Sequence, residues 1–307
     1  MSDSKTLADR VVWLFIGPKG VRLPWSILLA FMAFVAAQVL SFVVLHAAGV
    51  SLSDTREATT SLSTIKNTSL VLACVIAATL FMAVIEKRPL DDYYLVGARP
   101  VLRALQGAGV GLALISLLVG GEVALGVMRF DGFATRGEAA LLSGTLWAGG
   151  FVLVGLIEEM MTRGYLLARL ARSLGFRWGA IITTVFFSAL HLPNPGESVI
   201  GIAAVVLSGL VFCFAIWKTG SIWWGFGWHA AWDWGETYLY GAPDSGLPAN
   251  GSLMIMRAHS PDWLSGGATG PEGSVLCFIA LGLAALTVHY LLPKRADLSG
   301  SRGATQA

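Results

Sequence analysis

Charge is what this sequence has least of. Only 13% of its 307 residues are Asp, Glu, Lys or Arg, about half of the ~25% usual in soluble domains. So little charge cannot solvate the surface of a soluble protein of this size, and a soluble enzyme with a large core is excluded in favour of a polytopic membrane protein. The net charge is +2, too small to suggest a nucleic-acid partner. Cysteine is also scarce. Cys74, Cys213 and Cys277 each fall in an apolar run without metal-ligand spacing, which argues against a disulfide framework or a cysteine-held metal. No H-E-x-x-H zinc-protease helix and no G-x-S-x-G nucleophile elbow occur, so those two hydrolase architectures are out. Nothing resembles a cleavable signal peptide.

Long apolar runs are what the chain has instead. They lie at 24–48, 68–85, 104–128, 139–162, 178–193, 198–217, 220–240 and 274–292, each near the ~20 residues that cross ~30 Å of hydrocarbon. Because helices satisfy their own backbone in lipid, the expected fold is all-α, a polytopic membrane bundle of about eight transmembrane helices. The fifth run is short and the seventh, Trp-rich, carries charge. With eight spans, one side collects 15 Lys and Arg and the other 5, leaving out Arg163. This bias predicts that both termini are cytoplasmic, and in a bacterium the membrane would be the plasma (inner) membrane. The chain divides into a cytoplasmic tail at 1–23, N-terminal helices at 24–137, a core at 138–292 and a cytoplasmic tail at 293–307. The segment 241–273, rich in Gly, Pro and Ser, is the longest outside loop. Trp217, Trp223, Trp224 and Trp228 read as an interfacial aromatic belt.

Ionisable residues inside spans cost about 2.5–3.5 kcal/mol each to insert and are normally offset by pairing or function. Glu158, Glu159, Arg163, His191, His229 and Asp233 stand out. Glu159 and Arg163, four apart, share a helical face and can pair. Glu158, rotated ~100° away, is left available for chemistry. His229 and Asp233 are also four apart and point the same way, so the carboxylate could hold the imidazole's tautomer. Counted from Arg169 and Lys218, Glu158 and His229 each lie about 16 Å into the membrane, and His191 lies about 21 Å from Arg177, at ~1.5 Å per residue. Residues from three helices therefore fall at comparable depth. Glu122 is expected to snorkel outward from the end of its span, and Glu236 to tune the site or line an outer vestibule. His46, His259 and His289 look interfacial.

A carboxylate kept dry can act as a general base on water, with His191 and His229 orienting the water or stabilising an oxyanion. The same groups, Glu158, His191 and His229, could instead hold zinc with water in the open position. Both routes hydrolyse an amide.

In order, E-E-x-x-x-R (Glu158, Glu159, Arg163), F-x-x-x-H (Phe187, His191) and H-x-x-x-D (His229, Asp233) resemble the CPBP family of intramembrane proteases, which includes the CAAX prenyl endopeptidases and bacteriocin-processing proteins. The segment "ATGPEGS" at 268–274 is similar to a tail found in some bacterial members. The resemblance implies a bundle of eight or so helices around a conical, cytoplasm-facing cavity. It implies Glu158 as the base that activates water, His191 as partner to that water, and His229 with position 233 on the oxyanion side. Many members have Asn where this chain has Asp233, which favours a metal-binding or His-orienting role for the carboxylate. The implied activity is endoproteolysis of a membrane-associated substrate, prenylated or leader-type, with the lipid bilayer and a peptide or membrane protein as partners. A non-catalytic scaffold or immunity protein of the same fold and a proton-coupled transporter are the alternatives.

Overall fold

The structure is a computed structural model, and it describes residues 12–18, 20–49, 60–248 and 250–293. The calls on the two tails therefore fall largely outside the described residues. Each expected apolar run corresponds to a helix. In chain order these are α1 (Leu23–Ala47), α2 (Ser61–Glu86), α3 (Pro100–Ala124), α4 (Gly137–Leu174), α5 (Phe176–His191), α6 (Val199–Thr219), α7 (Trp223–Trp234) and α8 (Cys277–Leu291). Five of them, α1, α2, α3, α4 and α6, are long and apolar enough to cross a membrane. The other three have 16, 12 and 15 residues. The all-α membrane bundle stands, while eight full spans do not follow from length and hydropathy alone.

Local signals set the ends. Thr60 and Ser63 form a reciprocal capping box that starts α2, satisfying two donors no helix can satisfy itself. Gly175 takes φ +88° between α4 and α5, a left-handed turn open to glycine at little cost. It lets two helices follow one another directly and pack side by side.

At the centre, α7 lies between α3 and α4. The α3–α7 approach is backbone to backbone. A Cβ on Gly107 would fall 2.0 Å from the Trp224 carbonyl oxygen, one on Gly111 2.3 Å from that of Trp228, and one on Gly227 1.9 Å from that of Ala104. Small residues at helix contacts in membranes serve this purpose. As a result Trp224, Trp228 and Trp232 are buried and do not form the expected aromatic belt. Of the belt residues, Trp217 is the exposed one, at 54%. The helical period turns the tryptophan face onto α3, where glycines make room.

The end of the bundle holding the α2–α3 and α4–α5 connections is basic. There Glu86 accepts from Tyr165 and Tyr93 and pairs with Arg169 at 3.2 Å and Arg172 at 2.9 Å. Burial, and then the Glu86 carboxylate, push the Tyr93 phenol well above its ordinary range, so it remains a donor. Lys218 is also buried, and donates to the His289 carbonyl at the end of α8. At the opposite end, strand β1 (Met128–Phe133) pairs antiparallel with β2 (Met254–Ala258). Asp131 bridges Arg129 and Arg257 across this ribbon, and the Arg129 guanidinium holds its carboxyl below the usual range. The segment expected to be a plain outside loop is thus tied to the helices.

Candidate active site

Glu158 and Glu159 sit where α4 leaves α-helical geometry. Residues Met160–Leu166 form a π-helical stretch, a wider turn often found at functional sites. A second π stretch, Gly235–Leu239, begins two residues after Asp233. Hydrophobic periodicity gave no sign of either.

Glu159 and Arg163 are both fully buried and lie 3.1 Å apart, Oε1 to Nη1. The guanidinium stacks 3.9 Å over the Phe187 ring, and its Nη1 also donates to Thr162 Oγ1 at 2.9 Å. The same Glu159 oxygen lies 3.3 Å from His229 Nδ1. One buried carboxylate therefore faces both a guanidinium and an imidazole, a link the sequence spacing did not suggest. The Glu158 side chain is 28% exposed, and Oε2 lies 3.6 Å from His229 Nε2. Asp233 Oδ2 lies 3.5 Å from the same nitrogen. Phe212 of α6 stacks on the His229 ring at 5.4 Å. Aromatic faces hold a ring in place without competing for its nitrogens.

His191 is the last residue of α5. Its Nδ1 lies 2.9 Å from the Phe187 carbonyl. A carbonyl only accepts, so Nδ1 carries the proton and Nε2 of the neutral ring keeps its lone pair.

Glu158, His191, His229 and Asp233 line one cavity of about 340 Å³. Phe151, Ile157, Met161 and Val205 give it an apolar wall, and Asn194, Asp244, Ser245 and Glu272 a polar rim. Asn194 donates to the Ser245 carbonyl at 2.8 Å, and Ser245 to Glu272 at 2.6 Å. None of the rim residues was singled out from sequence, because they lie in loops with no periodicity. The "ATGPEGS" stretch was the one available signal. The rim belongs to the loop after α5 and to 241–273. The cavity thus opens at the end of the bundle away from Arg88, Arg99, Arg169 and Arg172. If charge bias puts those arginines in the cytoplasm, the mouth cannot also face the cytoplasm, and the two expectations are incompatible.

Three other expectations change. Glu122 does not snorkel: it is fully buried. Glu236 is fully buried too, and Trp232 Nε1 donates to its Oε2 at 2.9 Å. It is not among the described residues that line the cavity. The zinc set does not assemble. Among the described residues, ligand atoms of three such groups come within 4.8 Å of one another only at Glu236, Asp244 and Glu272, so Glu158, His191 and His229 do not fit a shared ion. His46, His259 and His289 are exposed, and the three cysteines are buried and free.

The described residues form an all-α membrane bundle with carboxylates and imidazoles gathered around one internal cavity. Residues 140–235 match the family model described as type II CAAX prenyl endopeptidase Rce1-like, a stretch that contains all three motifs. The match supports a CPBP/CAAX-type intramembrane protease. The first three helices lie outside the matched stretch. No curated protein and no solved structure matches the chain.

Proposed function

We propose that this protein is a glutamate-dependent endopeptidase that cleaves membrane-associated peptides, prenylated or leader-type, with water activated by Glu158. The observation that carries the reading is the difference between adjacent carboxylates. Glu159 is committed to Arg163 and His229 in the interior, while Glu158 faces the cavity 3.6 Å from His229. In the proposed reaction, a water between Glu158 and the free Nε2 of His191 gives its proton to the Glu158 carboxylate. The hydroxide attacks the scissile carbonyl carbon, and His229 Nε2–H donates to the oxyanion. The proton on Glu158 then passes to the amide nitrogen as the C–N bond breaks, giving a carboxylate and an amine. An ionised Asp233 has no proton to give the oxyanion, so it acts through His229. Cleavage of a peptide library that includes prenylated members, assayed in membranes, tests this. His191→Ala should lose about 10²-fold or more, the range for a proton-transfer partner. Glu122→Gln, buried but outside the cavity, should keep its activity. Equal rates for the two variants would reject the assignment.

The charge bias further supports a mouth that opens on the non-cytoplasmic face. Leu247, 44% exposed at the rim, and Val96, 50% exposed in the basic α2–α3 connection, provide the test. In intact cells, a membrane-impermeant maleimide should label Leu247→Cys, and should reach Val96→Cys only after the membrane is opened. The native cysteines are buried. The reverse pattern would place the mouth in the cytoplasm.

A further inference from the structure

Beside the protease site lies a second cluster that the proposed reaction does not use. Glu236 from the π stretch after α7, Asp244 from the turn that follows, and Glu272 from the 3-10 turn Pro271–Gly273 bring one carboxylate oxygen each within 4.8 Å of one another. Glu236 has no exposed surface, and its Oε1 has no hydrogen-bond partner among the described residues, whereas Oε2 accepts from Trp232. A buried carboxylate oxygen left bare costs more than a made hydrogen bond gains. Oε1 also points at a definite place. A Cβ on Gly270 would fall 2.8 Å from it and 2.0 Å from the Pro243 carbonyl oxygen. Gly270 is two residues from Glu272, and Pro243 adjoins Asp244. A carboxylate oxygen of Glu236 and the carbonyl oxygen of Pro243, from two chain segments, thus flank a spot that the glycine leaves open. Among the described residues, the charged groups facing the cluster include Asp233, Glu158, His229 and Glu197, and neither Lys nor Arg lines the adjoining cavity.

We infer that Glu236, Asp244 and Glu272, with the Pro243 carbonyl, form a binding site for a hard divalent cation, calcium, that fastens the 241–273 segment to the end of α7. Calcium accepts six to eight oxygens in flexible geometry, whereas magnesium usually keeps its waters and takes one or two carboxylates. Three carboxylates and a carbonyl match calcium. The ion would fix the rim of the cavity without touching the reacting atoms, so the inference is independent of the proposed mechanism.

The test uses the purified full-length chain in detergent, stripped with a chelator. Calcium should raise its melting temperature saturably. Terbium should bind and luminesce when tryptophan is excited, since Trp232 is hydrogen-bonded to Glu236, and calcium should quench that signal by displacement. Glu236→Gln and Asp244→Asn should lose both effects, while Glu158→Gln should keep them. The inference is overturned if the wild-type chain shows neither a calcium-dependent shift nor calcium-displaceable terbium luminescence. It is equally overturned if both effects survive unchanged in the Glu236 and Asp244 variants, or if magnesium matches calcium at equal concentration. Should a variant fail to fold, the wild-type terbium competition alone decides.

Discussion

Glu158→Gln should abolish cleavage and leave the fold intact, whereas Glu159→Gln should damage both. Glutamine keeps the size of Glu158 but cannot accept a proton from water. Loss of a general base lowers rates by ~10² to 10⁴, and this residue is also asked to protonate the leaving amine, so a fall of about 10³-fold or more is expected. The side chain faces a cavity and has no committed partner among the described residues other than His229. Its neutralisation therefore costs the fold little. Glu159 differs because its oxygen sits between the Arg163 guanidinium and the His229 ring, all three buried. Removing one member of a buried ion pair strands the other charge and destabilises by about 3–5 kcal/mol. Arg163 would keep its contacts with Thr162 and with the Phe187 and Phe212 rings, none of which carries a compensating charge. Melting temperature and cleavage, measured on both variants in the same membranes, separate the roles. If Glu158→Gln unfolds and Glu159→Gln merely slows cleavage, the two carboxylates have been assigned the wrong way round.

The second large effect is expected from a single methyl group far from the reacting atoms. Gly107→Ala places a Cβ where the Trp224 carbonyl oxygen would be 2.0 Å away. The obstacle is backbone, so no side-chain rotation relieves it, and α3 must move away from α7. Overpacking a tight core costs about 1–3 kcal/mol, occasionally more. The helix it parts from, α7, carries His229 and Asp233, so cleavage should fall along with thermal stability. Gly109→Ala is the internal control. It adds the same methyl two residues along, where no atom lies within 4 Å, and it should be neutral or slightly stabilising, since alanine suits a helix better than glycine. Identical melting curves for the two variants would show that the α3–α7 contact does not hold the site in place.

Dynamics enter through the same elements. The site residues on α4 and α7 rest on packed helices, but the rim at 192–198 and 241–248 is loop, tied by bonds such as Asn194 to Ser245 and Gly196 to Gly246. Substrate entry must work through that rim, which is where a bound cation would have its greatest influence.

Composition alone determined that this chain is a helical membrane protein, because 13% charge cannot dress a soluble surface and lipid accepts few backbone arrangements. Spacing alone placed Glu159 with Arg163 and His229 with Asp233, because residues four apart share a helical face whether or not the rest of the fold is known. Spacing could not show that Glu159 also meets His229, that Phe212 stacks on that ring, or that the tryptophans of α7 point inward. Those contacts join residues from helices distant in sequence, and periodicity carries information only within one helix. Nor could it reveal the rim and the Glu236–Asp244–Glu272 cluster, whose members sit in turns without a repeating pattern. The tertiary structure settled these because helix packing, set by glycines at backbone contacts, fixes which side chains from separate segments share one space.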